Sequence, residues 1–335
     1  MWTSLFTLLL VLAACVHQGI AASSATVTPF PTSNQSPMVQ IFGLPFAESA
    51  LLTPARHLQA QLITHVANNF TSRSRSDEEI VLDGETYRAT FSFRYGVSDR
   101  IELGLDVPYV RHVGGVFDVF IDYWHDTFGL PDGGRDEAPR DRLLYAYRRQ
   151  RRTEVLVDDD TAGIGDVTLS AGWRLYRDRP DTTRSLSLRL NLKLPTGSDR
   201  NLRGSGSTDV ALRLAGEDRV VLAAYRMGLF GSAGLLLMSN GDVLPDQQRH
   251  VTGFGTFGIA WGFLSWLVPK VQVNWHSPFF DDSDLRQLAS WSAQLTFGTT
   301  FRVSERSTID FAVFEDIVAK TSPDVGFQFV LRHLF

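Results

Sequence analysis

A handful of side chains in this sequence stand at spacings that could do chemistry. Asp122, His125 and Asp126 fall at i, i+3 and i+4, a spacing that on a helix offers three ligands to a divalent cation. The same three residues also form the polar face of an amphipathic segment, and that reading is preferred, so no metal site is expected. His276 and Ser277 are a base and a nucleophile side by side. Neighbours on a strand point to opposite faces, so the pair cannot act together, and Asn274 supplies no substitute nucleophile. Gly204-Ser205-Gly206-Ser207 lacks the Gly-Lys-Ser/Thr that would make it a phosphate cradle. No catalytic residue and no cofactor is therefore expected, and a lipase-type enzyme ranks last among the functional readings.

What remains is charge placed in alternation. Arg88, Arg94, Glu102, Asp106, Asp166, Arg174, Arg189, Lys193, Asp209, Arg213, Lys270, Arg302, Asp310 and Arg332 all occupy the polar phase of segments whose other phase is apolar. The clearest case sets Leu186, Leu188, Leu190, Leu192 and Leu194 against Ser185, Ser187, Arg189, Asn191 and Lys193. Period-two alternation is the signature of a half-buried strand. In a soluble sandwich the leucines would face a core, whereas in a membrane barrel they face lipid and the charges face the lumen.

The links decide between these. Taken from residue 57 onward, long connections near 72–78, 115–163, 195–207, 240–250, 277–288 and 319–323 alternate with short ones such as Ser98-Asp99, 177–184, 264–266 and 304–307. Short turns on one side and long loops on the other are what an outer-membrane barrel produces. The sequence thus predicts an all-β fold: a twelve-stranded antiparallel transmembrane β-barrel over 57–335, both ends periplasmic. Its long extracellular loop, 115–163, is expected to carry a short amphipathic helix. There Phe120, Trp124, His125, Phe128 and Arg135 are candidates to fold inward as a constriction. Clustered arginines further along the loop, Arg140 to Arg152, could meet lipopolysaccharide phosphates or pair with nearby acids.

The remaining segments fit that scheme. Residues 1–21 read as an export signal, with an apolar run from Leu5 to Val16 and small residues before Ala22. Cleavage there removes Cys15, the only cysteine, although Leu12-Ala13-Ala14-Cys15 also has the form of a lipidation box. Residues 22–56, rich in Ser, Thr and Pro, are expected to be a periplasmic lead-in, either tethered loosely or with the apolar Met38 to Phe46 tucked into the barrel mouth. The chain has no run of eighteen apolar residues, and its net charge of -5 gives no footprint for nucleic acid. The final strand alternates to a terminal Phe335 and resembles the carboxy-terminal signal read by the barrel assembly machinery.

Gly43 to Pro45, Pro108-Tyr109, His125 to Arg135, Gly163 to Asp166 and Leu194 to Gly197 together resemble a Gram-negative envelope family, domain of unknown function 3187. The Gly-x-Gly-Asp and Leu-Pro-Thr-Gly pieces are similar to parts of barrels proposed as uptake transporters. The resemblance implies an outer-membrane location, with outer-membrane lipid and lipopolysaccharide as surroundings. The expected function is a passive channel or transporter for small polar or amphipathic solutes, ahead of a structural or lipopolysaccharide-contacting barrel.

Overall fold

The computed structural model describes residues 27–115, 141–178, 184–318 and 321–335. The signal segment, the helix expected in the long loop, and Phe120, Trp124, His125, Phe128 and Arg135 lie outside the described residues.

Fifteen strands form one sheet among the described residues, and twelve of them close the wall. In chain order the wall consists of β1 (Leu58–Arg75), β2 (Glu78–Ser98), β3 (Ile101–Val113), β7 (Thr168–Arg177), β8 (Arg184–Lys193), β9 (Asp209–Asp218), β10 (Met227–Met238), β11 (Val251–Trp261), β12 (Leu267–His276), β13 (Ser292–Arg302), β14 (Ser307–Val318) and β15 (Val325–Leu334). Each pairs antiparallel with its neighbours, and β1 pairs with β15 from Gln59–Leu334 to Asn68–Val325, which shuts the seam. Closure leaves no wall edge exposed in a medium that cannot hydrogen-bond to one.

The phase expected from the sequence holds in space. On β8 the set Ser185, Ser187, Arg189, Asn191 and Lys193 is buried inside, while Leu190 is exposed outside. Phe91, Phe93, Tyr95, Leu103, Trp173, Leu212, Leu214, Phe257 and Phe311 are likewise exposed on the outer surface. Large apolar side chains on the outside of a closed sheet fit a lipid solvent.

Two features differ from the expected strands. The β1–β2 hairpin runs on to a turn at Ser76-Asp77, well beyond the wall. Within the long loop, β4 (Leu144–Arg149) pairs with the upper part of β2, β5 (Arg152–Val157) pairs with β4, and β6 (Thr161–Ile164) pairs with the end of β3. Pairing with the hairpin satisfies loop backbone groups that would otherwise be buried without partners.

The lead-in takes the tucked alternative and goes further. Residues 27–56 do not form a tether outside the wall; they run up one side of the lumen, turn with Met38 to Phe42 in the mouth, and run down the other. The ascending limb follows β12 in constant register. Lys270 Nζ donates to Thr28 O (2.8 Å), Phe30 N donates to Gln272 Oε1 (2.8 Å), and Asn34 Nδ2 meets His276 Nε2 (2.9 Å). Asn34 also donates to Thr321 O (3.0 Å), at the end of the barrel that carries the long loops. A tight turn follows, with Val39 N and Gln40 N both bonded to Ser36 O. The descending limb leads down to Arg56, whose N–H donates to Gly96 O (2.7 Å) near the short-turn end. Proline blocks helix here and the segment is paired almost wholly through side chains of the wall, so its conformation is imposed by the lumen.

Candidate functional site

The site is the filled lumen, which has an apolar cap and a charged middle. At the cap, Met38, Val39, Ile41 and Phe42 from the turn are buried in one cluster with Ile80, Tyr145, Tyr147, Leu236, Phe279 and Phe280 of the extracellular elements. The Phe42 ring stacks on Phe279 with centroids 4.8 Å apart and meets Phe280 edge-on at 5.6 Å. A short helix, α1 (Arg286–Ala289), adds the buried Leu288. Tyr147 Oη donates to Glu78 (2.6 Å), whose other oxygen accepts from Asp284 N (2.8 Å), tying the extended hairpin to the loop after β12. Burying this many apolar side chains together excludes water from the mouth.

Just below the cap the segment lies directly on the wall. Gly43 N donates to Asp209 Oδ2 (2.7 Å), and a Cβ at Gly43 would stand 2.8 Å from Asp209 Cβ and 3.2 Å from Lys193 Cβ. Only glycine allows that approach. Lys193 in turn holds Asp166 (2.5 Å) and Asp209 (3.3 Å) and donates to Ile41 O (3.3 Å).

The charged middle centres on Glu48, which comes from the segment, not the wall. Its Oε1 accepts from Arg94 Nε (2.7 Å), its Oε2 accepts from Arg213 Nη2 (2.5 Å), and Arg189 Nη1 stands 3.7 Å from Oε2. Arg94 also holds Asp106 through two bonds of 2.8 and 2.9 Å, and Arg189 holds Glu102 at 2.7 Å. Arg213, 1% exposed, has Glu48 as its carboxylate partner among the described residues. Burial would raise the Glu48 carboxyl, but the guanidinium groups of Arg94, Arg189 and Arg213 outweigh it and hold the group well below the usual carboxylate range.

A second pattern accompanies the first: wall cations donate to carbonyl oxygens of the segment. Arg88 reaches Gln40 O (3.1 Å), Arg189 reaches Ser49 O (2.8 Å), Arg213 reaches Phe46 O, Lys193 reaches Ile41 O and Lys270 reaches Thr28 O. Arg88 also stands 5.5 Å over the Phe46 ring. Lower down, Ala50 N donates to Glu217 (3.0 Å) and Thr53 N to Glu102 (2.5 Å). A cavity of about 250 Å³ opens beside Glu48 toward the short-turn end, bordered by Leu51, Gln61, Arg94, Arg189 and Arg332.

Of the charged residues expected to line the lumen, Arg94, Glu102, Asp106, Asp166, Arg189, Lys193, Asp209, Arg213, Lys270 and Asp310 are buried inside. Arg88, Arg174, Arg302 and Arg332 are partly exposed. Arg332 reaches Asp310 (3.5 Å) and Gln61 (3.1 Å), whereas Arg174 lies near the short-turn rim, apart from the central network. Glu48, Gly43 and Glu217 were not among the expected site residues. Glu48 had a signal: it is the only charged residue between Ala22 and Ala55.

Other candidates resolve plainly. His276 Nδ1 faces Ser277 O (2.9 Å), and Ser277 Oγ accepts from Gly253 N (2.9 Å), so neither is poised for catalysis. No cluster of three or more His, Cys, Asp or Glu suited to a metal occurs among the described residues. In the arginine-rich loop, Arg142 pairs with Asp83 (2.7 Å), Arg148 with Glu79 (3.4 Å) and Arg149 with Asp282 (2.7 Å).

The fold is that of a known channel structure. The COG4313 outer membrane channel from Pseudomonas putida F1 aligns with a TM-score of 0.55 at 12% identity, covering 85% of this chain and 98% of that one. The KdgM porin aligns more loosely, with a TM-score of 0.42 at 7% identity over 83% of this chain and 99% of that one. The CymD monoaromatic hydrocarbon channel follows at 0.36 and 14% identity over 94% of both chains. No curated protein matches the sequence. The family signature of DUF3187, described as a protein of unknown function, matches residues 5–335, and the chain belongs to that family.

Proposed function

We propose that the protein is a channel or transporter for small polar solutes in the outer membrane of a Gram-negative bacterium, and that residues 27–56 close it at rest. The observation that carries this reading is that the element filling the lumen is a segment distinct from the strands of the wall. Through the middle of the barrel it is held by hydrogen bonds and ion pairs, with Glu48 as its anchor, and it enters and leaves by the same end. A barrel whose lumen served only as scaffold would be filled by side chains of its own wall. Here the hydroxyls of wall residues such as Thr90, Ser92, Ser185 and Ser187 are buried with no hydrogen-bond partner among the described residues, so the wall is more polar than the segment requires. Enzyme chemistry has no support from the disposition of His276 and Ser277. A purely lipopolysaccharide-contacting role is weakened by the pairing of Arg142, Arg148 and Arg149 with acids.

Planar-bilayer conductance of the full chain and of the chain lacking 27–52 tests this reading. The full chain should conduct only in brief openings, and the shortened chain steadily. Silence in both would leave a structural barrel as the better account.

A further inference from the structure

The three guanidinium groups around Glu48 form a carboxylate site that the chain fills with its own side chain. Both carboxylate oxygens are engaged, Oε1 by Arg94 and Oε2 by Arg213, with Arg189 adjacent. Arg94, Arg189 and Arg213 are each less than a tenth exposed. Among the described residues, charge in this layer balances with the segment in place: three arginines face Glu102 and Asp106 of the wall plus Glu48. If the segment withdraws, Arg94 keeps Asp106 and Arg189 keeps Glu102, but Arg213 loses its carboxylate partner and its acceptor at Phe46 O. The wall then presents one uncompensated guanidinium halfway along the lumen, with Arg88 nearby released from Gln40 O and Phe46. A buried guanidinium left alone is costly and recruits an anion, preferentially a planar carboxylate that its donor fork matches.

We propose that Arg213, supported by Arg94 and Arg189, is the selectivity site of the open channel for small organic anions carrying a carboxylate, and that Glu48 is the internal occupant such solutes replace. This rests on the channel reading above. The 250 Å³ cavity beside Glu48 gives a solute room to reach Glu48, Arg94 and Arg189 from the short-turn end before the segment has left; Arg213 lies behind them and is uncovered only as Glu48 moves away.

The full chain carrying Glu48→Arg tests it, since a fourth guanidinium among three expels the descending limb, with Glu48→Gln as a gentler second variant. Permeation of glucuronate and of glucose, matched in size, is measured by swelling of proteoliposomes. The expected result is glucuronate passing several-fold faster than glucose, with the preference lost when Arg213→Ala is added. Equal passage of the two solutes, or a preference that survives Arg213→Ala, overturns the carboxylate site and leaves the channel. Passage of neither solute in either Glu48 variant overturns the channel reading and this site with it.

Discussion

Glu48 Oε2 and Arg213 Nη2 stand 2.5 Å apart across the lumen, one on the inserted segment and the other on β9. This pair joins the closing element to the wall, with the Arg213 side chain 1% exposed and that of Glu48 14% exposed. Breaking a buried pair from one side costs about 3–5 kcal/mol, because the remaining charge stays buried without a partner. Glu48→Gln should therefore weaken closure by a large factor while leaving the twelve-stranded wall intact. The check is open probability in planar bilayers, together with unchanged heat-modifiable migration on gels.

Gly43 should tolerate nothing larger. A leucine there would drive into Asp209 and Lys193, and overpacking of this kind costs about 1–3 kcal/mol. The tip of the segment should lift, seen as more frequent openings and faster protease cleavage between 36 and 46, with the wall unaffected.

The cap should matter as much as the charges. Phe42→Ala removes a ring packed against Phe279 and Phe280, a change worth about 3–5 kcal/mol in a well-packed core. Open probability should rise without any change in solute preference, since no guanidinium is altered. A changed preference would place selectivity in the cap and not around Arg213.

Phe335 should act in assembly alone. Its N–H donates to Leu58 O (2.8 Å) at the seam, while its side chain is 61% exposed and packs on the His333 ring. Deleting it should lower the amount of barrel in the outer membrane and leave the conductance of each inserted copy unchanged. Normal abundance after deletion would contradict this role.

The wall was legible in the sequence because its physics is periodic. Leu186 to Leu194 alternate without a break, and the Ser98-Asp99 turn separates two runs of opposite direction. The charged lumen followed from the same phase, down to Arg189, Lys193 and Arg213. Beyond the tucking of the apolar Met38 to Phe46, the inserted segment was not legible, because its order comes from Lys270, Arg88, Arg189 and Arg213 reaching carbonyl oxygens, and every residue type offers a carbonyl. The turn at Ser36 to Phe42 has no partner nearby in the chain either; its cap is assembled from residues as distant as Phe279. Glu48 alone announced itself, as an isolated charge in a segment otherwise fit for burial.

The most direct test fixes the segment to the wall. Gly43→Cys with Asp209→Cys puts two cysteines where the Cβ positions are 2.8 Å apart, within about 1 Å of ordinary disulfide geometry. They would be the only cysteines after residue 21. At an applied potential the oxidised protein should stay silent, and reduction, which leaves an unbonded side chain crowded at position 43, should raise conductance to at least that of the Asp209→Cys single variant. Equal conductance, or equal silence, before and after reduction would contradict a lumen closed by residues 27–56.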